Sequence, residues 1–508
     1  MAVALQRLAM AIVLAALPAR ATVYYVDNVG GSDTNNGTST TTAWQHCPGD
    51  PAATGTAAST TIGADTIYFK GGVTYLLSSS KGIQVSYPPY THGSIGASFS
   101  SGDKIGWGAG MAVIDGNGIA THWFQVSGET NVTFVGLDLQ NTVNQDGNAA
   151  LYFWNSSSNL VTGCWIHDAG TNVTSSPGVD CVEFSGPNGA GYNVITNCIL
   201  WRSGQKLIET TGGCNNNIVV NNVCHDSDDH AICISTAGNI VCGNIITNVA
   251  IGHIMVAPFR DPVYGIKLSS DSAVSPNCSS NLVYNNLIAH CMAGINIEDV
   301  GSNNMVANYI FNNTVADCGY NTVNPDGLLI FNVTASGTHI DDLVMNNIFC
   351  GEQSDGGWGY PLIRLTSGVA ANGLGRDNII AYNFWGTPTA NATAMVYVSA
   401  TQTPSFVSFA DSGSTSPDFR FANPVFGSGN SFVTNSQIFN IDPQFVSYPS
   451  DLTLASGSPC AGTGTNLSAY FTTDIRGTTR TIWSMGAYET PSSAALAPPS
   501  ALRVVGAN

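Results

Sequence analysis

Charge is what this 508-residue chain has least of. Asp, Glu, Lys and Arg together make up 9% of it, where roughly 25% is ordinary for a soluble domain. Coiled coils and helical bundles carry charged flanks on their helices, so both are excluded. Positive charge is scarcer still: 15 Lys and Arg face 33 Asp and Glu, a formal net charge of −18. Such a chain can neutralise few phosphates, so nucleic acid is excluded as a partner. Beyond the N-terminus no apolar run approaches the roughly 20 residues that cross a bilayer, so no membrane span is expected. Disorder is excluded by what is present, 44% hydrophobic residues with 9% aromatics, enough to bury a large core. Fifty-five glycines sit among many Asn, Ser and Thr. The class that remains is a secreted, β-rich, weakly charged solenoid.

Met1 to Ala21 reads as a secretory signal peptide. Arg7 gives the positive start, Leu8 to Leu17 the short apolar run, and Ala19-Arg20-Ala21 the small-x-small cleavage pattern. The mature protein is expected to begin near Thr22 and to be extracellular or periplasmic, working as a monomer. Thirteen cysteines leave at least one unpaired. Eleven lie from Cys164 to Cys350, with Cys47 and Cys460 outside that span. Several fall at similar places in a repeat, so stacked core thiols and disulfides are both open.

The repeat is an Asn, three mostly apolar residues, then Asn or Gly. Copies are Asn193-Val194-Ile195-Thr196-Asn197, Asn217-Ile218-Val219-Val220-Asn221 and Asn239-Ile240-Val241-Cys242-Gly243. Asn281-Leu282-Val283-Tyr284-Asn285 and Asn304-Met305-Val306-Ala307-Asn308 continue it, with weaker copies from Asn159, Asp342 and Asn378. The starts are 34, 24, 22, 42, 23, 38 and 36 residues apart. The short spacings suit one coil of a parallel β-helix and the long ones suit coils with loop insertions. Val and Ile suit buried parallel strands. Asn tolerates left-handed backbone at a tight corner and can hydrogen-bond coil to coil along the axis.

These repeats resemble the right-handed parallel β-helix superfamily that includes pectate lyases and polygalacturonases. Tyr24-Tyr25-Val26-Asp27, Gly31-Ser32-Asp33, Asn36-Gly37-Thr38 and Ala43-Trp44 are similar to its N-terminal opening segment. Gly63 to Phe69 and Gly71 to Tyr75 look like a first coil. Asp442-Pro443-Gln444-Phe445, Gly457-Ser458-Pro459 and Gly486-Ala487-Tyr488-Glu489 resemble its closing segment. The resemblance implies an all-β, single-stranded right-handed parallel β-helix over 22–490, continuous from about 60 to 440, with 491–508 as a linker or tail. It is specific for fold and weak for activity.

After each corner the chain should reach the broad sheet that carries substrate clefts in that superfamily. Strands expected there are Val179 to Ser185, Lys206 to Thr211, His230 to Ser235, Gly265 to Ser269 and Gly294 to Glu298. With Val182 and Phe184 inward, Glu183 points out, aligned with Glu209, Cys233, Lys267 and Asn296. Asp180, Lys206 and His230 form a second column, which strict alternation turns inward unless the chain bends. Stacked carboxylates repel unless a cation, a shared proton or a basic partner relieves them. Asp226, Asp228 and Asp229 offer further oxygens, or simply cap corners.

Two chemistries compete for these residues. Pectate-lyase-like elimination on an acidic uronate polysaccharide implies Ca²⁺ held by Asp180, Glu183 and Glu209. Lys267 or Lys206 would be the base and Arg260 would neutralise the substrate. Polygalacturonase-like hydrolysis implies Asp228, Asp229 and His253, followed by Lys267. Asp228-Asp229, Gly252-His253 and Ile266-Lys267 match that family's motifs in order, but Ile254 and Gly265 depart from them. A third reading is a non-catalytic carbohydrate-binding surface protein. Trp154, Trp165 and Trp201 are expected to pack on coil faces.

Overall fold

A computed structural model describes residues 21–490 except 87–88, 91–95, 144–148, 171–177, 187–189, 251–262, 272–277, 301–303, 319–328 and 333–337. Between 351 and 440 it describes 363–365, 375–376, 379–386, 396–398, 405–407, 431–432 and 438–439. The expected leader up to residue 20 and the tail after 490 lie outside the described residues, as do His253 and Arg260.

The strands stack in long parallel sheets, and the protein is the expected right-handed parallel β-helix. Among the described residues, helix is confined to Gly55–Ser59 and the 3-10 turn Gly102–Ile105. The described residues divide into two compact units, one of 21–240 with Ile245–Ser279, the other of Val241–Asn244 with 280–490.

In the first unit one coil runs through Val194–Thr196, Ile199–Ser203 and Ile208–Thr210. The next runs through Ile218–Val220, Val223–Ser227 and Ile232–Ile234. Ile195 lies over Val219, Leu200 over Cys224 and Ile208 over Ile232. All six are fully buried. Each full-sized aliphatic side chain so stacked contributes about 1.5–3 kcal/mol. Repetition of that column, coil after coil, is what holds the solenoid together.

The two Asn of each repeat have separate tasks. The first builds a buried ladder: Asn159 Nδ2 donates to Asn193 Oδ1, Asn193 to Asn217 and Asn217 to Asn239, at 2.8–3.0 Å. The second takes the left-handed corner, at Asn197 (φ 54°) and Asn221 (φ 56°), with Gly243 (φ 68°) doing the same. Asn pays less than other side chains for that conformation. In the second unit Asn281 donates to Asn308, and Asn244, Asn286, Asn313, Asn347 and Asn383 form another ladder. The repeat expected from Asn304 is therefore displaced. Asn308 is the ladder residue, and the strand that follows it is Tyr309–Phe311. Asn304–Val306 pairs instead with Thr338–Ile340 in a separate small sheet.

The opening segment pairs Val23–Val26 in parallel with Thr66–Phe69. Buried Trp44 stacks on Tyr24 at 4.6 Å and donates Nε1–H to Asn35 O. In the closing segment, fully buried Arg480 Nη2 donates to Asn285 Oδ1 at 2.7 Å and Nη1 pairs with Glu489 at 3.3 Å. All 13 cysteines are free, buried thiols, so of the two cysteine readings the stacked core thiols hold.

Candidate active site

The site lies wholly within the first unit. Strand Val182–Ser185 turns Val182 and Phe184 into the core, which leaves Glu183 on the outer face. Parallel pairing then sets the column: Glu183 opposite Glu209, Glu209 opposite Cys233, Cys233 opposite Lys267. Upstream the same row reads Gln84, Gln125 and Tyr152. The expected column is present through Lys267.

The second column also reaches the face, because the chain bends ahead of each strand. Lys206 N–H donates to Asp180 Oδ1 at 2.8 Å, and Lys206 Nζ lies 3.0 Å from Glu209 Oε2 and 3.9 Å from Asp180 Oδ2. Asp180, Glu183 and Glu209 bring one carboxylate oxygen each within 4.8 Å of the others. Among the described residues this is the one group of three or more acidic, His or Cys side chains that converges as a metal site would.

Three carboxylates this close and this buried cannot all stay ionised at neutral pH. Burial, with the charge of Glu209 added, pushes Glu183 up to about 8. Burial likewise raises Asp180 well above the carboxylate range, and its proton is shared with Glu209. Burial would raise Glu209 too, but the Lys206 ammonium and the hydrogen bonds from Lys206 and Asp180 outweigh it and hold Glu209 low. Lys206 shows the converse: burial favours the neutral amine, yet Asp180 and Glu209 hold its pKa well above the usual lysine value. The Lys206 ammonium thus sits with a low-pKa Glu209, while Glu183 and Asp180 are biased towards their protonated forms.

The next coils add a different set. His230 is buried, which lowers its pKa to about 3, and its Nδ1 accepts the Tyr264 N–H at 3.1 Å. A ring that accepts there is neutral, so its 3.2 Å approach to Asp229 Oδ1 is no ion pair. Burial would raise Asp229, but Lys206, Lys267 and the 2.8 Å bond from the His230 amide hold it ionised. Lys267 is half-buried with Nζ 6.0 Å from the Tyr264 ring centroid. Asp226 turns to His225 at 2.8 Å and Asp229 to His230. Neither these nor Asp228 joins the three-carboxylate group, so the extra oxygens expected from this Asp run are not gathered there.

Several neighbours were not legible as site residues. Tyr152 is the direct register partner of Glu183 on the preceding coil, which sets the aromatic beside the acid. Trp154 is 42% exposed and Trp165 45% exposed, so neither simply packs on a coil face as expected. Trp201 does pack, stacked between His167 at 3.9 Å and His225 at 5.8 Å. His167 is clasped by Asp138 at 2.9 Å and Asp168 at 2.6 Å on a different sheet from the carboxylate cluster. Counting rungs from Glu183 back to Tyr152 was the signal that would have found the first pair.

Residues 111–350, which contain the whole site, match the family described as "Periplasmic copper-binding protein (NosD)". No curated protein is significantly similar to the chain. Among solved structures, the lacto-N-biosidase GH136 of Eubacterium ramulus is 11% identical with a TM-score of 0.46, over 82% of this chain and 68% of that one. The mannuronan C-5 epimerase AlgE4 A-module of Azotobacter vinelandii is 12% identical with a TM-score of 0.41, over 74% and 88%. Pectate lyase Pel9A is 14% identical with a TM-score of 0.34, over 92% and 96%. At these values the similarities say nothing about activity.

Proposed function

We propose that this is an exported enzyme acting on an acidic polysaccharide, with an eliminase as the reading the site supports best. The observation that carries it is the convergence of Asp180, Glu183 and Glu209 beside Lys206 on the outer face of the sheet. Asp180, Glu183 and Glu209 would hold a hard divalent cation such as Ca²⁺, for which all-oxygen donors are suited. A cation there would neutralise a substrate carboxylate and acidify the proton beside it. The family's copper description does not carry over to this group, which has no imidazole, thiolate or thioether donor. Its periplasmic description accords with the leader read at residues 1–21.

Lys267 is the base in this reading. Lys206 is held as an ammonium by the acidic groups around it, with Glu209 at 3.0 Å, and cannot accept a proton in that state. Lys267 lies two rungs past Glu209 in the same outward row, about 10 Å at a spacing near 4.8 Å per rung. Arg260 would help to neutralise the substrate. The test is a screen of uronate polysaccharides. An unsaturated, ultraviolet-absorbing product lost on adding chelator supports elimination; absence of that product with every uronate polymer counts against it.

A second reading is favoured by one observation, a neutral Glu183 beside an ionised Glu209. Glycoside hydrolases use such a pair as acid and carboxylate. Oxygens within 4.8 Å are closer than the roughly 6.5–9.5 Å between carboxyl groups that inversion requires. Hydrolysis at this pair would therefore be retaining, in place of the Asp228, Asp229 and His253 set. New reducing ends without ultraviolet absorbance would identify it, and binding with neither product would leave a carbohydrate-binding protein.

A further inference from the structure

We infer that the stretch of this sheet on the Tyr152 side of the acid cluster is a subsite for an uncharged sugar unit of the same polymer, with Trp154 as its stacking platform. The inference rests on the polysaccharide reading above and adds that the substrate is mixed, a uronate next to a neutral sugar.

The geometry begins with strand Leu151–Trp154, where Leu151 and Phe153 are fully buried and Tyr152 and Trp154 face out with Glu183. Trp154 is 42% exposed, and its neighbours in register are Ser127 and Ser185, too small to cover an indole. Tyr152 lies 6.0 Å away, tilted by 39°, and is itself fixed by His122, stacked at 5.9 Å. Tyr152 pairs in register with Glu183 and Trp154 with Ser185, so this surface is continuous with the acid cluster.

The chemistry of the row decides which sugar fits. Gln84, Gln125, Tyr152, Ser127 and Trp154 offer amides, hydroxyls and a ring face, and none is charged. A pyranose presents C–H groups on its faces and hydroxyls at its rim, which match an indole flanked by Ser and Gln. Among the described residues, the register neighbours of Tyr152 and Trp154 offer no cation to meet a uronate there. The basic group of the row, Lys267, lies on the far side of the acid cluster. Uronate on the Lys267 side and neutral sugar on the Trp154 side is the order this polarity selects.

The test is calorimetric titration of the full chain with two oligosaccharides of equal length, an oligogalacturonate and an alternating galacturonate–rhamnose oligomer. The alternating oligomer should bind the wild type more tightly. Trp154→Ala should weaken it about tenfold, with Trp154→Phe recovering most of the loss. The oligogalacturonate should bind both variants as it binds wild type. No binding of the alternating oligomer, or equal losses for both ligands in Trp154→Ala, overturns the subsite. Carried out in the Lys267→Ala background, titration reads binding without turnover, so a Trp154-dependent preference there, with no unsaturated product from wild type on either oligomer, rejects elimination and leaves the subsite standing.

Discussion

Glu183 and Glu209 are direct register partners on adjacent coils, yet they hold their protons in opposite ways. Burial and its neighbour's charge push Glu183 up to about 8, whereas Lys206, 3.0 Å from Glu209, keeps that carboxyl low. One lysine thus breaks the symmetry of a stacked pair.

Glu183→Gln should stabilise the metal-free protein above neutral pH. The folded-state pKa of Glu183 is raised above its ordinary 4.5 to about 8. The folded form therefore holds a proton the unfolded chain gives up, and stability falls as pH climbs through that window. Gln mimics the protonated acid and removes the fall. Melting curves from pH 5 to 9 should converge at the acid end and separate at the alkaline end. Parallel curves would show that Glu183 is ionised throughout.

Calcium should raise the melting temperature, and more so at pH 8 than at pH 6. Asp180 and Glu183 must lose protons to bind a cation, so binding releases them and protons compete. A hundredfold excess over Kd is worth about 2.7 kcal/mol. Glu209→Gln should abolish the effect. An unchanged melting temperature at saturating Ca²⁺ argues strongly against the site.

Lys267→Ala should abolish turnover and leave the melting temperature within a degree or two, since a half-buried surface lysine contributes little packing. Near-normal activity would remove Lys267 from the mechanism and turn attention to the carboxyl pair.

Asn217→Ala should cost about 3 kcal/mol, read as a shift in denaturant midpoint. Asn193 would lose the acceptor for its backbone N–H at 3.1 Å and for Nδ2 at 3.0 Å, and both groups are buried. A loss below about 0.5 kcal/mol would mean that water or relaxation replaces the rung.

His167→Gln should be most destabilising at or below pH 6. Burial favours the neutral ring, but the hydrogen bonds His167 donates to the carboxylates of Asp138 and Asp168 outweigh it and raise the pKa above 6.5. The stabilisation is full below the unfolded value and disappears as pH rises through the folded one. A difference between variant and wild type that is flat from pH 5 to 9 would show that His167 does not titrate.

Much of this protein is written in short, local patterns. Asn–apolar–Asn spacing specifies coils because each coil must pair with the next through the same few atoms, and alternation within Val182–Ser185 determines that Glu183 faces out. From those two rules alone Glu183, Glu209, Cys233 and Lys267 fall into one column. Where spacing was ambiguous the pattern misled, as at Asn304, because two Asn four residues apart offer two phases and the ladder takes Asn308. What the sequence left undecided depends on bends and burial. Strict alternation turns Asp180 and Lys206 inward, and only the turn before each strand brings them to Glu209. Whether an Asp–Asp run joins the cluster or caps a corner depends on side-chain direction, which spacing does not carry. Protonation is the clearest case: Glu183 and Glu209 are the same residue type in the same column, and only the folded protein, by burying both and lending Lys206 to one, makes them an acid and a carboxylate.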